Sequence, residues 1–189
     1  MELELAVGTR RSVGRVGPEA PTDAEVLEVL ALAAGAPDHG GLRPWRFVSI
    51  RGAARDALGR AFAEVSGDEQ QARRAREKPL RAPLLLGIVH CPRPHPGVPA
   101  WEQLAATSGV VTTLGLLLHG RGWATMWRSG PFVEAPAVHR MMGVTPEEQL
   151  LGWLYVGRCA PDDAPKPRRL LSAEDLARRL RVMAAEPVT

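Results

Sequence analysis

At 189 residues, with 45% hydrophobic and 24% charged side chains, the chain has enough apolar material for a buried core and does not read as disordered. Its 24 Lys and Arg against 21 Asp and Glu give a net charge of +3. The basic clusters at 73–81, 166–169 and 178–181 carry no interleaved aromatics, which sets aside a nucleic-acid surface. The two cysteines, Cys91 and Cys159, stand far apart, which excludes a disulfide framework and a CxxC redox or zinc pair.

The opening residues carry Glu2 and Glu4 where a signal peptide needs positive charge, so a cytoplasmic protein is expected. "PTDAEVLEVLALAAG" (21–35) predicts a helix, with Thr22 or Asp23 as cap, Val26, Leu27, Leu30 and Ala33 at helical spacing, and Gly35 as stop. "WRFVSIR" (45–51) reads as a strand and 53–65 as a second helix. "LLLGIVH" (84–90) is a buried strand. The run 101–122 is a long helix, apolar on nearly every side, which needs burial in a core or a subunit interface. Its most apolar part, Leu104 to His119, includes Thr107, Ser108, Thr112 and Thr113 and is too short to span a bilayer comfortably, and no membrane partner is expected. A strand at 123–130, a short helix at 136–143, a strand at 149–159 and a last helix at 172–183, capped by Ser172 with Asp175 as its partner, complete the chain. This alternation predicts one α/β or α+β domain over 1–189 with a small sheet. No GxGxxG opens a helix after a strand and no GxxxxGK[ST] occurs, so a doubly wound nucleotide fold is not indicated.

Two stretches could carry chemistry. In "TRRSVGR" (9–15), Arg10, Arg11 and Ser12 offer donors suited to phosphate oxygens, or form a solvated basic turn. In "MWRSG" (126–130), at the end of a strand, Trp127 could stack on a flat ring or belong to the core, while Arg128 and Ser129 can donate hydrogen bonds. "KPRR", with Lys166 and Arg168, is a solvated charge run or a second phosphate contact. "HCPRPHP" (90–96) lacks the spacing and further ligands of a zinc site, and no metal is expected. His119, inside the apolar helix, reads as a satisfied histidine, and no Ser-His-Asp or paired-carboxylate arrangement stands out.

The order "TRRSVGR", "AGAPDHGGLRPWRFVSIRG", "KPLRAPLLLGIV", "WEQLAATSGVVTTLGLLLHGRGWATMWRSG" and "LLGWLYVGR" resembles the FMN-dependent nitroreductase family, in particular its small single-domain bacterial branch with APDH and WRSG motifs. The resemblance runs from about residue 5 to 160. It implies an α+β fold with a small mixed or antiparallel sheet surrounded by helices, and a homodimer with flavin at the interface. It implies that Arg10, Arg11 and Ser12 hold the FMN phosphate and flavin edge, and that His39 reaches the flavin of the partner subunit. Trp127, Arg128 and Ser129 would run along the isoalloxazine ring. Gly35 departs from the pattern, standing where relatives often carry an arginine toward the flavin phosphate, a contact that Lys166 or Arg168 would replace. The implied activity is reduction of nitroaromatics, quinones or similar small electron acceptors by NADH or NADPH through FMN, by ping-pong hydride transfer. The alternative is a flavin-storage or redox-sensor protein with little turnover.

Overall fold

The computed structural model describes residues 1–159 and 171–183. Four strands, β1 (Trp45–Arg51), β2 (Leu84–His90), β3 (Trp123–Arg128) and β4 (Gln149–Arg158), form one antiparallel sheet in the order β1-β2-β4-β3. The fold is therefore α+β, and the sheet contains no parallel pair of strands. Alternation along each strand sends side chains to two opposite layers. Leu84, Leu86, Ile88, Leu154 and Val156 face α2 (Asp23–Ala33) and α5 (Ala100–Gly120), forming a core with Val29, Val110 and Leu114. Leu85, Val89, Trp153 and Tyr155 face α3 (Ala53–Glu64) and α6 (Pro136–Met142), joining Leu58, Phe62 and Val138. β2 is buried along its whole length because helices cover both of its faces.

Local chemistry accounts for most boundaries. Thr22 caps α2 with a reciprocal box: its Oγ1 accepts from the Glu25 amide at 3.2 Å, and Glu25 Oε2 accepts from the Thr22 amide at 2.7 Å. Ser172 caps α7 (Ala173–Ala177) by accepting from the Asp175 amide at 3.1 Å, without the reciprocal backbone bond. That helix, however, covers only Ala173–Ala177 and not the whole of 172–183. None of its residues is buried, so no packing extends it. Two helices lie outside the sequence reading, α1 (Leu3–Thr9) and α4 (Glu69–Glu77). Each buries a single alanine, Ala6 and Ala75, so neither offers a stripe of large apolar side chains to detect. Asp68 caps α4 through the Gln71 amide at 2.7 Å.

The long helix α5 is not enclosed within the chain. Gln103, Thr107, Val110, Leu114 and Leu118 face inward, while Trp101 and Leu104 on the outer side are 69% and 39% exposed. Among the described residues no helix is long and apolar enough to cross a membrane.

A bidentate pair ties β1 to the start of β4. Arg46 donates from Nε and Nη2 to Glu148 at 2.7 and 2.6 Å, and Nη2 also donates to the Gly143 carbonyl at 2.7 Å. These donors, with the Thr145 amide and the Cys91 thiol, hold the Glu148 carboxyl down at about 2. The folded carboxyl therefore binds its proton less readily than the unfolded one, whose value is near 4.5, and the stabilisation is lost as pH falls from about 4.5 toward 2. Glu148→Gln should lower stability at neutral pH by about 1–3 kcal/mol and flatten the acid limb of a urea-denaturation series over that window.

Candidate functional site

The segment after α1 is drawn onto the free edge of β3. Ser12 forms a parallel bridge with Thr125, and the Val13 amide donates to the Thr125 carbonyl at 3.1 Å. Farther on, the Gly17 amide donates to the Arg158 carbonyl at 2.7 Å. Edge pairing of this kind fixes Arg10 and Ser12 beside the outward residues of β3 and one side of α5. The result is a hollow of about 210 Å³ lined by Arg10, Ser12, Val111, Thr112, Gly115, Thr125, Trp127 and Leu154. Thr112 and Gly115 keep its α5 side shallow, and Trp127 stands at the rim, 38% exposed.

Trp127 is held by a local irregularity of the sheet. The β2–β4 register shifts between Ile88 and Val89, whose partners are Gly152 and Leu150, so Leu151 is an extra residue in β4. The Trp127 indole N–H donates to the Leu151 carbonyl at 3.0 Å. Gly152 has φ of 117°, and a Cβ there would lie 2.2 Å from the Arg128 carbonyl oxygen. Only glycine allows β3 to approach this closely.

The pleat separates Arg128 from Trp127. Arg128 and Ser129 face a second hollow of about 300 Å³, bordered by Phe62, Lys78, Arg81, Met126, Phe132, Trp153 and Tyr155 as well as the edge of Trp127. Lys78 Nζ sits 4.4 Å from the Phe132 ring centroid and the Arg128 guanidinium 5.4 Å from that of Tyr155. Burial pushes the Tyr155 hydroxyl up to about 12 against the pull of Arg128 and Arg81. The Arg128 Nε is buried without a hydrogen-bond partner. Among the described residues Arg46, Arg51, Arg121, Arg140, Arg158 and Arg178 each pair with a carboxylate, whereas Arg10, Lys78, Arg81 and Arg128 pair with none. Unpaired cations around two adjoining hollows favour an anionic guest.

The structure thus brings Arg10, Ser12 and Trp127 into one hollow and Arg128 and Ser129 into its neighbour. Arg11 turns away: its Nη1 donates to the Gly8 and Arg10 carbonyls at 3.0 and 2.7 Å, closing the C-terminal end of α1. His39 lies apart, 61% exposed, with Nδ1 2.6 Å from Glu102 Oε2. Its turn is shaped by Gly40 and Gly41, at φ of 74° and 60°, and is moored by the Pro44 carbonyl, which accepts from the Cys91 amide at 2.8 Å and Thr107 Oγ1 at 3.0 Å. Lys166 and Arg168 fall outside the described residues. The sequence reading gives no site role to Lys78 and Arg81, which belong to the basic cluster at 73–81; their signal would have been the aromatic Phe132 and Tyr155, remote in sequence. It also missed Gly152, which nothing in a run of β4 residues distinguishes.

Cys91, from the "HCPRPHP" stretch, is a structural thiol. Burial and Glu148 push it up to about 11, so it stays protonated and donates to Glu148 Oε1 at 3.2 Å. Among the described residues no three His, Cys, Asp or Glu side chains are grouped to hold a metal ion. Gly152→Ala should cost about 1–3 kcal/mol of stability through backbone strain. It should also alter the near-ultraviolet dichroism of the tryptophans, since Trp127 loses its mooring.

The geometry has known counterparts. The family model described as the Nitroreductase family matches residues 7–158. "Putative NAD(P)H nitroreductase YdjA" of Escherichia coli (strain K12) is 32% identical over 160 residues, 82% of this chain and 86% of the relative. The crystal structure of a nitroreductase-like family protein from Bacillus cereus superposes with a TM-score of 0.85 at 22% identity, covering 98% of this chain and 97% of that one. The FMN-dependent nitroreductase NfnB from Mycobacterium smegmatis, solved in complex with NADPH, superposes with a TM-score of 0.74 at 18% identity, covering 96% and 97%. A family match from residue 7 to 158, spanning the N-terminal arginines, all four strands and the Trp127–Ser129 segment, shows that this chain belongs to the nitroreductase family.

Proposed function

We propose that this chain, as a single domain, is an FMN-dependent NAD(P)H oxidoreductase that reduces small electron acceptors such as nitroaromatics or quinones, and that it works as a homodimer. The observation that carries the reading is the convergence of Arg10, Ser12 and Trp127 on one shallow hollow, with Arg128 and Lys78 next to it and, among the described residues, no carboxylate lining either space. Such a donor set fits a flavin mononucleotide. An unpaired guanidinium and a hydroxyl suit its phosphate, and the small residues Thr112 and Gly115 beside an exposed indole suit a flat ring. The orphaned Arg128 Nε supplies a further buried donor. The membership in the nitroreductase family and the FMN-dependent structural neighbour support the same cofactor.

When bound, FMN supplies two-electron redox chemistry that side chains do not. The residues of this chain bind it, orient it and neutralise its charge. This division of labour agrees with the placement of the most strongly shifted groups: Glu148 and Cys91 are hydrogen-bonded to each other and line neither hollow, and Tyr155 is shifted by burial. Trp101 and Leu104 on the outer side of α5, and Leu3, Leu5 and Val7 of α1, are exposed apolar side chains suited to burial against a second copy. In that dimer His39, free of its own chain's hollow, is the residue proposed to reach the partner's flavin. Lys166 and Arg168 are retained as proposed phosphate contacts that offset Gly35.

The test is direct. Cofactor released by heat should run with FMN and not FAD, and light scattering should show a dimer. Arg10→Ala should weaken FMN binding by about 2–5 kcal/mol, against about 0.5–1.5 kcal/mol for His39→Ala, in a flavin-fluorescence titration. Under anaerobic conditions NADH or NADPH should bleach the protein's yellow colour, and an added nitroaromatic should restore it. Steady-state plots at several acceptor concentrations should be parallel, because both substrates use one pocket in turn. Failure of both nicotinamides to bleach the protein would favour flavin storage or sensing.

A further inference from the structure

We propose that His119 is a positioning residue that holds Arg10 at the phosphate end of the cleft by pinning the last turn of α1; this rests on the FMN reading above. Within its own chain α1 has little else to keep it in place. It is seven residues long, has no side-chain cap at its N-terminus and buries only Ala6. Helices this short do not hold their shape alone in water. Thr9, its last residue, donates from Oγ1 to the Leu5 carbonyl at 2.6 Å. The same oxygen lies 2.8 Å from His119 Nε2. With the hydroxyl proton directed to Leu5, the imidazole is the donor and carries its proton on Nε2.

His119 is a rigid post. It stands in the last turn of α5, a helix of 21 residues whose neighbouring turns are anchored by the fully buried Leu114 and Leu118. Arg10 follows Thr9 directly, and three residues later the Val13 amide is bound to Thr125 at 3.1 Å. The guanidinium that lines the hollow is thus bracketed by two anchors, one to α5 and one to β3. Burial and the nearby charges of Arg10 and Arg11 lower the proton affinity of His119, so a neutral imidazole serves as the post. Removing the post frees the residue before Arg10 while leaving the guanidinium itself intact. The loss should appear only for ligands that the guanidinium holds.

The experiment titrates FMN and riboflavin, which lacks the phosphate, against the full chain by flavin fluorescence. His119→Ala and Thr9→Val should each weaken FMN binding about three- to tenfold, the effect of one lost hydrogen bond. His119→Gln, whose amide can donate at the same place, should restore affinity to within about twofold of the parent. Riboflavin affinity should not change in any of them. In an Arg10→Ala background, His119→Ala should add nothing. If His119→Ala weakens FMN and riboflavin equally, or adds its full effect in the Arg10→Ala background, His119 is only a packing residue and the proposal fails. Thr9→Val leaves the imidazole in place and carries the test should His119→Ala not fold. If Arg10→Ala weakens FMN but neither His119→Ala nor Thr9→Val does, this inference alone is overturned. If Arg10→Ala leaves FMN affinity unchanged, the phosphate reading falls with it.

Discussion

The pairing of residues 12 and 13 with Thr125 is the constraint on which the candidate site depends. β3 is an edge strand, and an unpaired edge is a row of hydrogen-bonding groups seeking partners. The chain satisfies part of that edge with its own N-terminal segment. In doing so it carries Arg10 and Ser12 some 110 residues back along the sequence to meet Thr125 and Trp127. Without that contact the arginine-rich turn would be a solvated loop. With it, the turn becomes one wall of a hollow whose other wall is α5.

The opposite end of β3 is governed by a second backbone device. The extra residue Leu151 and the positive φ of Gly152 bring β4 close under Arg128 and give the Trp127 indole a carbonyl to bind. A change of face then follows from the pleat alone. Thr125 and Trp127 go to one hollow, and Met126 and Arg128 to the other. The two spaces share the rim at Trp127, so one strand end lines both.

Among the described residues the two hollows are lined by cations and by no carboxylate. Most arginines that pair do so with a carboxylate within 3.3 Å, at exposed positions where such pairs contribute little. The Arg46–Glu148 pair is different, since it is bidentate and partly buried and ties β1 to the start of β4. Around the hollows the cations stand without acids, and two of them rest over aromatic rings. A net charge of only +3 does not reveal this local arrangement, which depends on where the acids are and not on how many there are.

Much of the architecture was legible in the residues themselves. β1 and β2 match the sequence reading to the residue, and α2, α5 and β4 to within a residue or two, because each carries a dense apolar run and α2 adds a cap with a defined partner. The motifs around Arg10 and Trp127 were also visible, since guanidinium and indole chemistry is local. What escaped was non-local or silent. α1 and α4 bury one alanine each and offer no stripe of large apolar side chains, and α7 stops early because nothing packs on it. The grouping of Lys78 and Arg81 with Arg128, and the turning away of Arg11, depend on strand pleat and on which carbonyls α1 leaves open. By itself the sequence determined most of the segments that become helix or strand and which side chains bring guanidinium, hydroxyl and indole groups, because propensity and donor chemistry belong to neighbouring residues. Only the tertiary structure decided which of those side chains share a hollow, because sheet register and edge pairing join residues that the chain keeps more than a hundred positions apart.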